Sequence, residues 1–388
     1  MHPPEPQYHP FKRVGVIGGG QLAQMMAEAA QPLNLELIVQ TPHISDPAVL
    51  LATDVVLGAL GDLAATSQLA AKCDVITFEN EFVELAPLSV LVDQGVRFRP
   101  PLEALQVLLD KYDQFHWLQT LGLPVPPCKA FTSVEDLLSQ GWDFPLVLKA
   151  RRHGYDGQGT WIISDQAHLK TVIAQLGSMS LLVQGVVPFE RELAVIGARS
   201  AAGDIALYPI VETYQQDQVC HWAIAPAHLT ASTVQAIETI AQTILTNLQG
   251  IGIFAIELFL TATGNVLINE IAPRTHNSGH FSIDACETSQ FEQHLRAVCN
   301  LPLGNPGLIQ AGAIMVNLLG YEYAQSDYPQ QRQTLAQIPN ATVHWYGKTE
   351  ARPGRKLGHV TVLLQESTAE RRQVEALAIA HQVEAIWY

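Results

Sequence analysis

Residues 253–280 read IFAIELFLTATGNVLINEIAPRTHNSGH, and the fold turns on them. Two apolar runs, 254–260 and 266–271, flank TATGN, whose glycine suits a tight turn, so the stretch reads as a β-hairpin. A turn at Thr263 and Gly264 pairs Ala262 with Asn265, Leu260 with Leu267 and Glu257 with Glu270. Two carboxylates then stand opposite each other, with Cβ atoms ~5 Å apart. Their apolar neighbours imply burial, where two like charges repel unless cations answer them. Hard carboxylate oxygens suit Mg²⁺. The alternative pairs one glutamate with Arg274 and protonates the other. Just past the hairpin, Arg274, His276, Asn277, Ser278 and His280 crowd polar donors into one loop, suited to an anion beside the carboxylates. A lone histidine is commonly structural, and His280 reads equally well that way.

Upstream lies LKARRHGYDGQGTW, residues 148–161. Lys149 closes a strand, and Gly154, Gly157 and Gly159 interrupt the loop before the next one. A cationic strand end beside a glycine loop can cover a polyphosphate, which the ammonium and the loop amides neutralise together. Arg151, Arg152 and His153 add to this basic cluster. Strands at 146–149, 161–163, 181–183 and 192–198 and a helix at 232–248 surround it, while 213–225 reads as irregular. Runs of strands and runs of helices indicate an α+β unit.

The first 100 residues alternate strands (14–17, 35–39, 75–78 and a short one around Val96) with helices (21–30 and 86–91), the pattern of a doubly wound parallel α/β sheet. GVIGGGQLAQMM, from Gly15, sets glycines between strand and helix and suits a phosphate. No acidic residue ends the second strand, where Gln40 and Thr41 stand, so a dinucleotide is disfavoured. An amphipathic stretch at 102–121 closes this unit, and the prolines of GLPVPP (122–127) mark a linker. After LPLGNPG (301–307) come strands at 313–318, 342–345 and 360–364 and a helix from Thr368. The divisions expected are 1–122, 123–305 with a lid at about 123–190, and 306–388. Before the strand at 360–364, KTEARPGRKLGH (348–359) reads as a second phosphate clamp.

With 22 basic and 37 acidic residues the chain carries a net charge of −15, which disfavours wrapping nucleic acid. At 48% hydrophobic and 15% charged it is a globular chain. No apolar run reaches the ~18 residues of a membrane span, and the N-terminal MHPPEPQYHP lacks a signal-peptide pattern. Five scattered cysteines fit neither zinc nor a disulfide framework and read as small buried hydrophobes in a reducing compartment, the cytoplasm.

Taken together, GGGQLAQM, GYDGQG, FERELAV, INEIAPRTHNSGH and RPGRKLGH resemble, in that order, the 5-(carboxyamino)imidazole ribonucleotide synthases of purine biosynthesis within the ATP-grasp superfamily. The resemblance spans about residues 12–385. It implies an ATP-grasp fold between a Rossmann-like pre-ATP-grasp domain and a small β-rich C-terminal domain, in a cytoplasmic homodimer. It also implies an ATP-dependent ligase in which bicarbonate and ATP give carboxyphosphate, which carboxylates the 5-amino group of aminoimidazole ribonucleotide. For the nucleotide it implies Lys111, Lys149, the loop Gly154, Tyr155, Asp156, Gly157, Gln158, Gly159 and Thr160, and the hinge Val183, Gln184, Gly185 and Val186. Glu192 would hold the ribose, Gln215 and Asn269 would join the nucleotide site, and Glu257 and Glu270 would hold Mg²⁺. The 5′-phosphate would meet Gly20, Gln21 and Leu22 with Lys348, Arg355 and Lys356. Glu79 would take the substrate ribose, Tyr155 and Asp156 its imidazole, and Arg274 and His276 would face the carboxyphosphate.

Several positions depart from that pattern: Lys111 replaces the common Arg, Phe115 a nearby Lys, Val183 an acidic hinge residue and Thr275 a proline. RPGRKLGH argues against a formate-using or biotin-carboxylase-like relative. The missing ribose-binding acid argues against a Rossmann oxidoreductase, and the intact Lys149, Glu257 and Glu270 against a non-catalytic nucleotide binder.

Overall fold

The computed structural model describes residues 9–152, 154 and 159–388. At the N-terminus four parallel strands lie in the order Asp54–Leu57, Glu36–Thr41, Arg13–Ile17, Val75–Phe78. The middle strands are almost wholly buried, as a parallel sheet covered by helices on both faces requires. The strand Asp54–Leu57 and the helix Leu63–Ala70 have no counterpart in the sequence reading; one is a short edge strand and the other, LAATSQLA, has little amphipathic contrast. Around Val96 there is no strand, only an isolated bridge from Phe98 to Ile76. The stretch expected as one helix is two, Leu102–Leu108 and Lys111–Thr120. Asp110 separates them because its carboxylate accepts the amides of Tyr112 and Asp113 at 2.9 and 3.3 Å and starts a new helix.

The lid sheet is antiparallel, in the order Cys128–Ala130, Leu181–Gly185, Leu146–Ala150, Thr160–Ile163. The largest sheet runs Val266–Ala272, Gly252–Thr261, Phe189–Arg199, Val211–Gln216, Val219–Ala225, Gly312–Leu319, Lys356–Leu364, Ala341–Trp345, with Ile205–Leu207 beside Phe189–Arg199. Residues 213–225, expected to be irregular, form most of a hairpin in its middle. Its turn residues, Asp217 and Gln218, both have positive φ (51° and 64°) without a glycine or asparagine, so the usual hairpin signal is missing. Because Gly312–Leu319 pairs with Val219–Ala225, the sheet continues into the C-terminal strands without a break.

The helix Gln290–Val298 packs Phe291, Leu295 and Val298 into the core beneath the N-terminal sheet. Arg99 Nη1 donates to the Val298 carbonyl at 2.8 Å and to Asn300 Oδ1 at 2.6 Å, satisfying the end of that helix. All five cysteines are free; Cys286 and Cys299 are buried, whereas Cys73, Cys128 and Cys220 are only half-buried. Among the described residues no helix is long and apolar enough to cross a membrane.

Candidate active site

One cleft of about 1210 Å³ is walled by the three sheets just described. Gly20, Gln21, Leu22 and Glu79 line it from the N-terminal sheet, and Lys149, Gly154, Thr160, Gln184 and Val186 from the lid. The large sheet adds Glu192, Gln215, Glu257, Asn269 and Glu270, the following loop Arg274, His276 and His280, and the C-terminal region Lys348 and Arg355 from loops and Lys356 from a strand start. Lys111, at the start of its helix, completes the wall.

Glu257 does face Glu270 across the hairpin, but by another route than expected. Leu260 pairs with Val266, not Leu267, because the turn is longer, with Thr261 N donating to the Asn265 carbonyl at 2.9 Å. A β-bulge between Glu257 and Leu258 absorbs one extra residue, Asn269, and restores the opposition of the two glutamates. A bulge re-aims side chains, so the consecutive residues Asn269 and Glu270 both line the cleft where a regular strand would alternate them.

Around this bulge lies a cluster of cations and carboxylates. Lys149 Nζ donates to Asn269 Oδ1 at 2.9 Å, Asn269 Nδ2 donates to Glu257 Oε2 at 3.4 Å, and Lys111 pairs with Glu270. Burial, then the neighbouring Lys111, pushes Lys149 down to about 8. Burial and Glu270 push Glu257 up to about 7, and burial and Glu257 do the same to Glu192. Lys149 Nζ also stands 5.8 Å from the ring centre of Phe115, which is buried in the core. Among the described residues no three His, Cys, Asp or Glu side chains form a metal cage. Two opposed hard carboxylates, one held up near 7 by its own burial, nevertheless fit a divalent cation that completes its shell with ligand oxygens. The alternative pairing with Arg274 is not made: Glu270 meets Lys111, and Arg274 meets Glu81.

In the loop after the hairpin, His276 Nδ1 lies 2.9 Å from Ser278 Oγ and Nε2 lies 3.4 Å from Glu257 Oε1. Burial, with Arg274 and Lys356 nearby, holds His276 well below its ordinary value and therefore neutral. The Gln290 amide accepts from the His276 amide at 3.0 Å and donates to its carbonyl at 2.7 Å, which fixes the loop. Asn277 exchanges two side-chain hydrogen bonds with Asn317 at 2.9 and 2.7 Å. His280 is fully buried, its Nδ1 3.0 Å from Gln290 Nε2 and its ring against Phe291 and His359, so its structural reading has the stronger support.

At the other end of the cleft, the expected anion seat on Gly20 and Leu22 is taken by the protein itself. Glu79 accepts the amides of Gly20, Leu22 and Ala23 at 2.8, 3.1 and 3.4 Å, so its carboxylate already satisfies the helix N-terminus. Burial raises Glu79 above its ordinary value while those amides oppose the rise. Lys348 Nζ donates to Gln21 Oε1 at 2.6 Å and to the Lys356 carbonyl at 2.8 Å, and Arg355 Nη1 donates to the Glu350 carbonyl at 2.6 Å. In the lid, strand alternation sends Val183 into the core and leaves Gln184 facing the cleft. Gly185 N donates to the Pro127 carbonyl at 3.0 Å. Gly159, at φ 86°, lies outside the cleft wall. Tyr155, Asp156, Gly157 and Gln158, with His153, fall outside the described residues.

Sequence reasoning missed Glu81, which binds Arg274. Its signal was available in FENEF (78–82), two residues past Glu79 at a strand end, but nothing local says which cation it meets.

The chain matches a ribonucleotide synthetase preATP-grasp domain over residues 11–108, an ATP-grasp domain over 116–291 and a phosphoribosylaminoimidazole carboxylase C-terminal domain over 313–373. It is 54% identical to an N5-carboxyaminoimidazole ribonucleotide synthase of Synechocystis, over 97% of this chain and 98% of that one. The crystal structure of the N5-carboxyaminoimidazole ribonucleotide synthetase of Thermotoga maritima matches with a TM-score of 0.86 at 37% identity, covering 97% of this chain and 98% of that one. The N5-carboxyaminoimidazole synthase of Aspergillus clavatus, solved with ADP and 5-aminoimidazole ribonucleotide, matches with a TM-score of 0.86 at 30% identity, covering 96% and 99%.

Proposed function

The chain belongs to the ATP-grasp family of N5-carboxyaminoimidazole ribonucleotide synthases, and we propose that it carboxylates the 5-amino group of aminoimidazole ribonucleotide, a step of purine biosynthesis, at the cost of one ATP. A bicarbonate oxygen bonds to the γ-phosphorus as the bond to the departing ADP oxygen breaks. The substrate amine then attacks the carboxyl carbon, either of the carboxyphosphate itself or of CO₂ that it has released together with phosphate. The bond to phosphate breaks, and the leaving phosphate takes the amine proton.

One observation carries this reading: a single cleft joins the Glu257–Glu270 pair to the Lys348 and Lys356 cluster through the Arg274–His276 loop. Lys111 and Lys149 neutralise the ATP phosphates, Glu192, Gln184, Gln215 and Asn269 hold the nucleoside side, and Glu257 and Glu270 hold Mg²⁺. When bound, Mg²⁺ supplies charge neutralisation of the phosphates. Arg274 and neutral His276 face the carboxyphosphate, which hydrolyses readily and is kept from water by the lid until the amine arrives. The ribonucleotide lies with its ribose on the outer face of Glu79 and its phosphate on Lys348, Arg355 and Lys356, with Tyr155 and Asp156 at its imidazole. Residues 1–122 and 306–388 then grip the ribonucleotide while 123–305 carries ATP, in a cytoplasmic homodimer whose size sedimentation tests. The test of the activity is ADP release with and without aminoimidazole ribonucleotide and bicarbonate: stimulation by both is expected, and release indifferent to either overturns it.

A further inference from the structure

The turn after the strand Val75–Phe78 carries a glutamate that the reaction scheme leaves unused. Glu81 reaches across the cleft and grips Arg274 with both oxygens: Oε1 accepts from Nη2 at 3.1 Å, and Oε2 accepts from Nε. A two-pronged grip fixes the plane of a guanidinium as well as its place. Arg274 Nη1 donates to the carbonyl of Thr275 at 3.1 Å, which anchors the same group to its own loop. Both side chains are mostly buried, with 16% and 17% of their surface exposed, so the pair is not a solvated surface contact. Burial works to raise Glu81, but the charge and hydrogen bonds of Arg274 outweigh it, and the carboxyl lies below its ordinary value.

The turn itself is shaped for this. Asn80 Oδ1 accepts the Phe82 amide at 3.0 Å, an Asx turn. Glu79 goes to the helix amides on one side of it and Glu81 to Arg274 on the other. Glu257 and Glu270 line the same cleft. An arginine released from Glu81 has these two carboxylates to turn to, where it competes with the cation they are there to meet.

We propose that Glu81 is a positioning residue for carboxyl transfer: it aims the Arg274 guanidinium at the carboxyphosphate and keeps it off the Glu257–Glu270 pair. This rests on the role given to Arg274 under the proposed function. In Glu81→Gln, formation of carboxylated product is expected to fall on the order of 10²-fold, as small misplacements of a reacting group do. ADP release falls less, so product per ADP drops, and the Mg²⁺ needed for half-maximal rate rises. Glu81→Asp, which keeps the charge one methylene short, recovers part of the ratio. In an Arg274→Ala background, Glu81→Gln adds nothing further, since both then remove the same group.

The measurement is product and ADP in one assay, with a melting curve for each variant. If Arg274→Ala lowers product per ADP and Glu81→Gln does not, Glu81 is merely a strap between elements and the proposal is overturned while the role of Arg274 stands. If Arg274→Ala leaves the ratio unchanged, the role of Arg274 falls first and the proposal with it. Should Glu81→Gln fail to fold, Glu81→Asp carries the test: a lowered ratio at an unchanged melting temperature supports the proposal, and a lowered melting temperature at an unchanged ratio overturns it.

Discussion

Two pairs of glutamates face one cleft, Glu257 with Glu270 and Glu79 with Glu81, and they differ in what meets their charge. Glu79 is capped by three backbone amides and Glu81 by a guanidinium, so the protein itself completes them. Among the described residues Glu257 has only one amide donor at 3.4 Å and a neutral histidine at 3.4 Å, with Glu270 opposite, and burial drives it up to about 7. The first pair is completed within the protein, whereas in the second Lys111 answers Glu270 and Glu257 is left with weak partners. A buried carboxylate with too few protein partners is left to bind a cation, whereas one whose charge the protein answers is fixed in place and acts as a positioned group.

The contrast is broken most severely at the pair proposed to hold the metal. Glu270→Gln removes one charge of the two while leaving Lys111 nearby, and the barrier should rise by about 3–5 kcal/mol. Rates at saturating Mg²⁺, with far-UV circular dichroism as the control for folding, measure it; wild-type kcat would remove the pair from the metal site. Next in size is the opposite end of the cleft. Lys356→Ala and Arg355→Ala should each raise KM for the ribonucleotide about tenfold, or about 1.4 kcal/mol, with little change in KM for ATP. Weakened ATP alone would mean that the C-terminal strands serve the wrong ligand.

Stability sharpens the same comparison. Glu79→Ala leaves the helix Gln21–Ala30 without its cap and should cost about 1 kcal/mol in urea denaturation, independent of Mg²⁺. Glu257→Gln should instead leave the metal-free protein as stable or more so, because a neutral amide ends the repulsion with Glu270. Equal losses in both variants would erase the distinction between the two pairs.

The smallest effect is in pH. Glu192 and Glu257 have native values near 7, above the 4.5 of an ordinary glutamate, so the native state binds the extra proton. Metal-free stability from these groups is therefore fully present below about 4.5 and is lost as pH rises toward 7. Urea midpoints at pH 5 and pH 7 should differ less in Glu192→Gln than in the parent, and an unchanged slope would show that Glu192 is charged in the native state.

How much of this was legible follows from particular residues. The glycine loop after Arg13–Ile17 announced its helix, yet nothing in GGGQL says that the amides there are spoken for by Glu79, 57 residues beyond Leu22. Residues 213–225 hid a hairpin because a turn built on Asp217 and Gln218 carries no glycine or asparagine to mark it. The opposition of Glu257 and Glu270 was readable from hairpin arithmetic, whereas the bulge that achieves it and aims Asn269 at Lys149 was not.

By itself, then, the sequence determined the hairpin with its two glutamates, the basic strand end at Lys149, the polar loop from Arg274 and the basic cluster at 348–359, because each is a pattern of neighbours along the chain. Only the tertiary structure decided which charges are already answered: Glu79 by the helix amides, Glu81 by Arg274, Glu270 by Lys111. Those pairings join residues 56 to 193 positions apart. Electrostatic energy depends on distance and burial, which local sequence patterns do not carry.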